Sequence, residues 1–175
     1  MKKRLLTYLF LFFTTLFYGQ AFDGEGDIKF IFSFDANTKM LGNSVIFEVG
    51  LSNYITFGGE FGLVYLPSNE KIIAMNPDLS ADSGYDFELE RVEASLRMNF
   101  HFNDWLPDPE YTDVYSGLYL GKAFGFTLGG RYMFADHFGW NAEVLVPVKV
   151  FHFPGKNYFD AYEKPFARIG FIISY

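Results

Sequence analysis

Seven charged residues lie within segments of otherwise apolar and small residues: Glu48, Glu60, Glu93, Arg97, Arg131, Glu143 and Arg168. Four of them are carboxylates and three are guanidinium groups, so they can form pairs. A buried charge that loses its partner is costly, and each residue is therefore expected to keep an opposite charge nearby. The chemistry that these residue types offer is a buried ion-pair network.

Composition argues against several other kinds of chemistry. The chain has no cysteine, which excludes disulfides and thiolate metal sites. Its formal net charge of −7 argues against binding to nucleic acid. The run Asp78, Ser80, Asp82 hints at a calcium loop, but Gly84 comes one place late and Leu89 stands where a bidentate Glu is needed. We predict no cofactor, no metal site and no nucleic-acid partner.

Alternation of apolar and polar residues with period two predicts the elements that hold the charges. It recurs in eight segments, at residues 27–35, 44–52, 55–66, 91–102, 114–121, 124–134, 138–150 and 165–175. In the fourth segment Leu96 and Met98 flank Arg97, and the pattern continues on both sides. Aromatic residues make up 21% of the chain and charged residues only 20%, which is unusual for a soluble domain.

Each predicted strand has a continuous apolar face and a face that mixes Gly and Ser with Arg and Glu. The glycine-rich, charged face suits a narrow hydrogen-bonded interior, and the apolar face suits lipid. Closure of the sheet would leave no strand edge unpaired in lipid. The predicted fold class is all-β, an eight-stranded antiparallel up-and-down transmembrane β-barrel. A soluble lipocalin-like barrel is the alternative.

The predicted connections fall into two groups at opposite ends of the strands. One end has the turns at 53–54 and 136–137 and the connection 103–111. The other end has 35–43, 67–86 and 151–164, with one short turn at 121–123. Short periplasmic turns and longer outer loops are the expected asymmetry. Aromatic residues gather at the short-turn end, where a girdle would lie: Tyr54, Phe102, Trp105, Phe134, Trp140 and Tyr175.

The first residues have the pattern of a secretory signal peptide. A basic start at 2–4 precedes an apolar stretch at 5–17, and the small residues Gly19 and Ala21 stand where cleavage would occur. The apolar stretch is shorter than the roughly 20 residues that a spanning helix needs. We predict a cleaved signal peptide over residues 1–20 and a barrel over residues 21–175, exported to the outer membrane. An uncleaved membrane anchor is the alternative.

The last predicted strand carries a further pattern, in which residues 168–175 read polar-x-Gly-x-x-apolar-x-aromatic. It resembles the C-terminal signal by which the barrel assembly machinery recognises outer-membrane barrels, and its residues here are Arg168, Gly170, Ile173 and Tyr175. With the segments 21–27 and 129–134, the chain is similar to small Bacteroidota-type outer-membrane barrels, OmpA-like and porin-like in plan. The resemblance implies a monomer surrounded by outer-membrane lipid and lipopolysaccharide, with the assembly machinery as a partner during insertion.

Hairpin geometry predicts which charges meet. Pairing across the turn at 53–54 would place Glu48 opposite Glu60. Two facing carboxylates repel, so a cation must lie near them, and Arg97 on the next strand is the candidate.

Pairing across the turn at 136–137 would place Arg131 opposite Glu143, and Arg168 on the following strand would extend that pair. An eight-stranded barrel is only just wide enough for its own side chains to fill. The charged residues, Glu93 included, are therefore predicted to plug the lumen. The alternative is a gate, in which the pairs exchange partners and open a small water path.

Some eight-stranded barrels are lipid-modifying enzymes, which makes the three histidines relevant: His101, His137 and His152. A deacylase of that kind needs His and Ser two residues apart on the lipid-facing surface, but Asn103 stands at that distance from His101. We predict that His101 is a satisfied interior residue on the same face as Ser95 and Asn99. The predicted protein is not an enzyme and has a structural or surface-interaction role. A small gated pore is the second hypothesis, and a lipid-active enzyme the third.

Overall fold

The computed structural model describes residues 21–37, 40–67, 87–151 and 162–175. The predicted signal peptide, the candidate calcium loop at 78–84 and most of both long loops lie outside the described residues. The described strands are β1 Ile28–Ala36, β2 Leu41–Ser52, β3 Ile55–Pro67, β4 Phe87–His101, β5 Thr112–Leu120, β6 Ala123–Ala135, β7 Phe138–Val150 and β8 Phe166–Ser174. A 3-10 helix, Asn103–Trp105, lies between β4 and β5. In the described part of the chain, no helix is long and apolar enough to cross a membrane.

Each strand pairs antiparallel with its neighbours in sequence, and β1 closes the sheet by pairing with β8. This confirms the predicted all-β, eight-stranded, antiparallel up-and-down barrel. The bounds of β7 agree with the prediction, whereas β2 and β4 are longer than their alternation. In the added part of β2, Leu41 pairs with Tyr65, and in the added part of β4, Leu89 pairs with the same residue. Strand pairing continues in both places because backbone hydrogen bonding does not require alternating side chains.

The two ends of the barrel differ as predicted. The short-turn end has the turns at 53–54 and 136–137, the connection from β4 to β5, and the beginning of β1. The loop end has the connections after β1, β3, β5 and β7.

A segment before β1, residues 21–27, lies against the short-turn end. The Ala21 amide donates to the Glu110 carbonyl at 2.8 Å. Gly24 and Gly26 have φ of 92° and 87°, a backbone conformation that favours glycine. A Cβ at Gly50 would collide with the Gly24 carbonyl, so glycine at this position allows the segment to pack closely.

Burial is reversed relative to a soluble domain. Large apolar side chains are exposed on all eight strands, and Phe61 is 68% exposed. Buried charged and polar side chains fill the middle of the interior. Towards the loop end the interior holds the loop-end cluster, which consists of Met40, Val64, Tyr119, Ala123, Leu145, Tyr162 and Phe166. A second apolar group is formed by Ala21, Ile31, Ile46, Met133 and Ile172.

Candidate functional site

Six of the seven charged residues predicted to interact meet inside the barrel. Strand alternation turns each of them inward: Glu48 on β2, Glu60 on β3, Arg97 on β4, Arg131 on β6, Glu143 on β7 and Arg168 on β8. They form one continuous set of contacts, which we call the central network. It has Glu143 and Glu48 as its two main acceptors.

Glu143 accepts hydrogen bonds from three side chains. Arg97 donates to both of its carboxylate oxygens, Nη1 to Oε1 at 3.1 Å and Nη2 to Oε2 at 2.6 Å. Arg168 Nη1 donates to Oε1 at 2.8 Å, and the Tyr115 hydroxyl donates to Oε2 at 2.7 Å. Paired guanidinium donors of this kind give the stronger class of hydrogen bond, which suits a carboxylate kept from water.

Glu48 is the second acceptor. It forms ion pairs with Arg131 and with Arg97, whose Nε lies 2.9 Å from Oε1. Asn99 Nδ2 donates to Oε1 at 2.9 Å. The Arg131 guanidinium also lies over the Tyr115 ring, 4.5 Å from its centroid, which adds a desolvated cation–π contact.

On the loop-end side the network continues through Arg168 to two carboxylates. Arg168 Nη2 lies 2.5 Å from Glu60 Oε1, and Nε pairs with Asp35. Asp35 was not among the predicted network residues, although it has the parity of Ser33 and therefore the inward face of β1. Its partner comes from the β1–β8 closure, where Asp35 and Arg168 are register neighbours, and hairpin reasoning did not cover that pairing.

On the short-turn side the network reaches His101, which is buried as predicted. His101 Nδ1 lies 2.8 Å from Asp113 Oδ2, and Asp113 is 3.4 Å from Arg131 Nη1. His101 Nε2 lies 3.1 Å from Thr56 Oγ1. Hydroxyl, imidazole and carboxylate thus stand in the order found in nucleophilic hydrolases. Phe22 stacks on the imidazole at 3.9 Å, however, and Thr56 is buried, so a substrate would reach this hydroxyl only if residues 21–27 moved away.

Glu93 does not join the central network, contrary to the prediction. Its carboxylate pairs with Lys122 at 2.5 Å and accepts a hydrogen bond from Tyr162. Glu93 lies four residues nearer the loop end than Arg97 on β4, a separation of about 13 Å along the strand. Its partners accordingly come from the loop end.

In each predicted hairpin the observed partner lies two residues from the predicted one. Glu48 pairs with Gly58 rather than Glu60. The turn places Ser52 opposite Ile55, and a β-bulge between Gly50 and Ser52 then shifts the alignment by one further residue. The inward parity is preserved, so Glu60 still points into the barrel. The predicted cation is near only one of the two carboxylates, since Arg97 pairs with Glu48 whereas Glu60 pairs with Arg168.

In the second hairpin, Arg131 pairs with Asn141 rather than Glu143, after a bulge between Met133 and Ala135. Glu143 instead faces Gly129. A Cβ at Gly129 would lie 2.5 Å from Tyr115 Cζ and 2.8 Å from Glu143 Cβ, so this glycine makes room for the Tyr115–Glu143 hydrogen bond. The expected extension to the next strand is present, since Glu143 and Arg168 are register neighbours.

The four residues of the predicted assembly signal take different positions on and after β8. Arg168 and Gly170 face the interior, whereas Ile173 faces outward in the alternating burial pattern of β8. Tyr175 is exposed, and its backbone amide donates to the Ile28 carbonyl at 2.9 Å. Arg168 is thus engaged in the central network of the folded barrel. Recognition of these residues by the assembly machinery stays a prediction.

Together with Asp35 and Asp113, which extend it at its two ends, the central network contains more carboxylates than guanidinium groups. Asp35, Glu48, Glu60, Asp113 and Glu143 face three arginines and His101. Five negative and three positive charges leave a formal charge of −2 when His101 is neutral. Among the residues that the structure describes, no group of three or more His, Asp and Glu side chains is arranged to hold a metal ion.

Fold and site together define a class: a closed eight-stranded antiparallel barrel with a buried ionic interior and an apolar outer wall. Residues 10–174 match the model of a family of unknown function (DUF6646). The chain belongs to this family. No curated protein matches the sequence.

Proposed function

We propose that the chain is an exported, non-enzymatic outer-membrane β-barrel with a structural or surface-interaction role. The observation that carries the proposal is the reversed burial, with apolar side chains exposed on every strand and ion pairs enclosed within. A soluble monomer rarely exposes a continuous apolar patch larger than a few hundred Å². Lipid around the wall removes that cost, and the closed sheet leaves no edge to satisfy.

The positions of the aromatic side chains indicate which end of the barrel would face the periplasm. Tyr54, Trp105 and Tyr175 are exposed at the short-turn end, and Phe134 and Trp140 pack there with ring centroids 6.1 Å apart. Such rings favour the membrane–water interface. The short-turn end would then face the periplasm and the loop end the cell exterior. Kinship with OmpA-like barrels of the Bacteroidota type is part of the same proposal.

A plugged lumen is favoured over a gated pore. The central network fills the middle of the barrel, the loop-end cluster lies above it, and Phe22 lies against His101 at the other end. Opening a water path would require breaking buried ion pairs at several levels. The covered position of Thr56 and His101 likewise favours a role without catalysis.

Vesicle flotation followed by single-channel recording tests the proposal. The refolded chain starting at Ala21 is expected to float with phospholipid vesicles, resist proteolysis there and give no conductance steps. A double variant, Glu48→Ala with Arg131→Ala, removes two side chains from the middle of the lumen, and steps from this variant alone would show that the central network closes the barrel. A parent chain that stays monomeric in water without detergent would refute the membrane location, and discrete steps from the parent would make the protein a small pore.

The surface-interaction role is proposed for the connections after β3 and β7. Their sequences contain apolar residues at 72–75 and aromatic residues between 151 and 162. Loops on a rigid scaffold commonly carry recognition. Replacing residues 68–86 with a Gly/Ser linker should leave flotation unchanged and abolish binding of cells to surfaces coated with candidate ligands. Failure of the barrel to assemble would instead assign this segment a packing role.

A further inference from the structure

A groove of about 570 Å³ crosses the outer wall of the barrel over β8, β1, β2 and β3. Its floor is a single cross-strand row formed by Gly170, Ser33, Ser44 and Gly62, which are register neighbours on successive strands. These residues point inward, so only backbone faces outward along the row. The depth of the groove is therefore the height of the side chains on either side.

Two rows of outward-facing side chains form the rims. The rim nearer the short-turn end contains Phe171, Phe32 and Phe61, and the rim nearer the loop end contains Ile169, Phe34, Asn43 and Leu63. With Trp140 on β7 and Val92 on β4 at its ends, the groove spans six strands, or about 24 Å at ~4.8 Å per spacing. The rims are two residues apart, about 7 Å. The groove is thus long and narrow, with the proportions of one extended hydrocarbon chain.

Asn43 is the one polar side chain in either rim. It is exposed, and its carboxamide has no hydrogen-bond partner among the described residues. No charged side chain lines the groove, which argues against a headgroup as the occupant. A polar group without a partner in hydrocarbon costs free energy. A neutral carbonyl that accepts from the amide would remove this cost, and an acyl chain linked through an ester or amide has such a carbonyl at one end.

We propose that this groove binds one acyl chain of a membrane lipid, with the chain along the floor and its linking carbonyl at Asn43. The inference rests on the proposed membrane location. A second copy of the barrel fits less well, because a two-fold interface brings the same surface patch together from both sides. A concave groove at such an interface would face another concave groove and stay unfilled.

Photo-crosslinking in vesicles tests the assignment. The chain starting at Ala21 would be reconstituted with phosphatidylcholine carrying a diazirine on one acyl chain, irradiated, and mapped by mass spectrometry. Labelling on β1–β3 is expected to exceed labelling on the opposite wall, β5 and β6, several-fold. Asn43→Leu should lower that excess about fivefold, the value of one net hydrogen bond, and Asn43→Gln should largely restore it. The matched control is Ser116→Leu, which replaces an outward polar residue on β5 and should leave the ratio unchanged.

The outcomes separate this inference from the proposal on which it rests. Equal labelling of all walls, unaffected by Asn43→Leu, would overturn the groove site while leaving the membrane location intact. An absence of labelling on every strand, with the chain in the aqueous fraction, would overturn the membrane location itself. Crosslinks between two chains from a benzophenone amino acid placed at Phe32 or Phe61 would identify a second copy as the occupant and overturn the lipid assignment.

Discussion

The two faces of β7 differ in burial and polarity, and the same difference recurs around the barrel. Glu143 is 4% exposed and fully paired, whereas Val144, the next residue, is 45% exposed and points away from the barrel. Hydrogen-bonded partners from three other strands allow a carboxylate to be buried on one face. The other face is covered by none of the described residues, and lipid is its proposed surrounding. Ion pairing therefore specifies the interior of the barrel, and the proposed membrane accommodates its outer wall.

The largest loss of stability is expected when a central carboxylate acceptor is removed from the interior. Glu143→Leu leaves Arg97 and Arg168 buried with fewer partners and is expected to destabilise the barrel by about 3–5 kcal/mol. Urea unfolding of the protein reconstituted in vesicles measures the change. Val144→Leu, at the adjacent outward position, is the matched control and should change stability by about 0.5 kcal/mol or less. Equal stability of Glu143→Leu and its parent would show that the ion pairs do not hold the interior together.

A charged residue placed on the outer wall tests whether lipid surrounds the barrel. Leu128 lies in the middle of β6 and is 62% exposed. If lipid surrounds it, Leu128→Arg should cost about 2–4 kcal/mol, the range for Arg near the bilayer midplane. The same vesicle unfolding assay applies, with Leu128→Phe as the control. A change within about 0.5 kcal/mol, which is usual for a water-exposed position, would point to a soluble barrel.

The direction in which each side chain points could be predicted from sequence, but its exact partner could not. Alternation assigns Arg97 and Glu143 to the interior because every second residue of a strand faces the same way. A one-residue β-bulge shifts the pairing, but the two bulges that displaced the predicted pairs lie next to their hairpin turns, so the alternation through the charged residues is uninterrupted. The irregularities beside Gly50 and Met133 therefore left the inward face correct and the predicted pairs wrong.

The two aspartates that prediction missed were missed for different reasons. Asp35 meets Arg168 only because β1 and β8 close the barrel. Asp113 faces Arg131 within the β5–β6 hairpin, but it lies one residue before the predicted fifth strand, which begins at residue 114. Both aspartates have inward parity, so that signal was present. The contacts of Arg97 with Glu143 cross the lumen between strands that are not paired. Such contacts depend on how the strands are arranged around the barrel, which local alternation does not specify.

A smaller loss of stability is expected when the interior loses one hydrogen-bond donor but keeps the aromatic ring of Tyr115. Tyr115→Phe leaves the cation–π contact with Arg131 but deletes the hydroxyl that donates to Glu143 Oε2 at 2.7 Å and lies 2.7 Å from Asn141 Oδ1. Buried acceptors that lose a donor cost about 1–3 kcal/mol. Unfolding in vesicles should show a loss in that range. Tyr132→Phe, on the outward face of β6, should cost less, and a larger loss there would mean that the wall also depends on specific hydrogen bonds.

The smallest effect is expected where water reaches both partners of a polar contact. At the short-turn end the Tyr54 hydroxyl donates to Asp104 Oδ2 at 2.9 Å, outside the strands. This hydrogen bond, together with the charge of Asp104, raises the pKa of Tyr54 above its ordinary value of 10.0. The folded pKa therefore exceeds the unfolded one, so the contact stabilises the barrel below about pH 10 and is lost as pH rises through the folded pKa.

An ultraviolet titration of the tyrosines checks this contact. The parent should show one phenol more than Tyr54→Phe, and that phenol should titrate above pH 10.0. In Asp104→Asn the same phenol should titrate lower, because the neighbouring charge is gone. Both variants should unfold almost as the parent does, since exposed polar contacts contribute little. A clear loss of stability in Tyr54→Phe would show that the turn, and not only the enclosed network, holds this end of the barrel together.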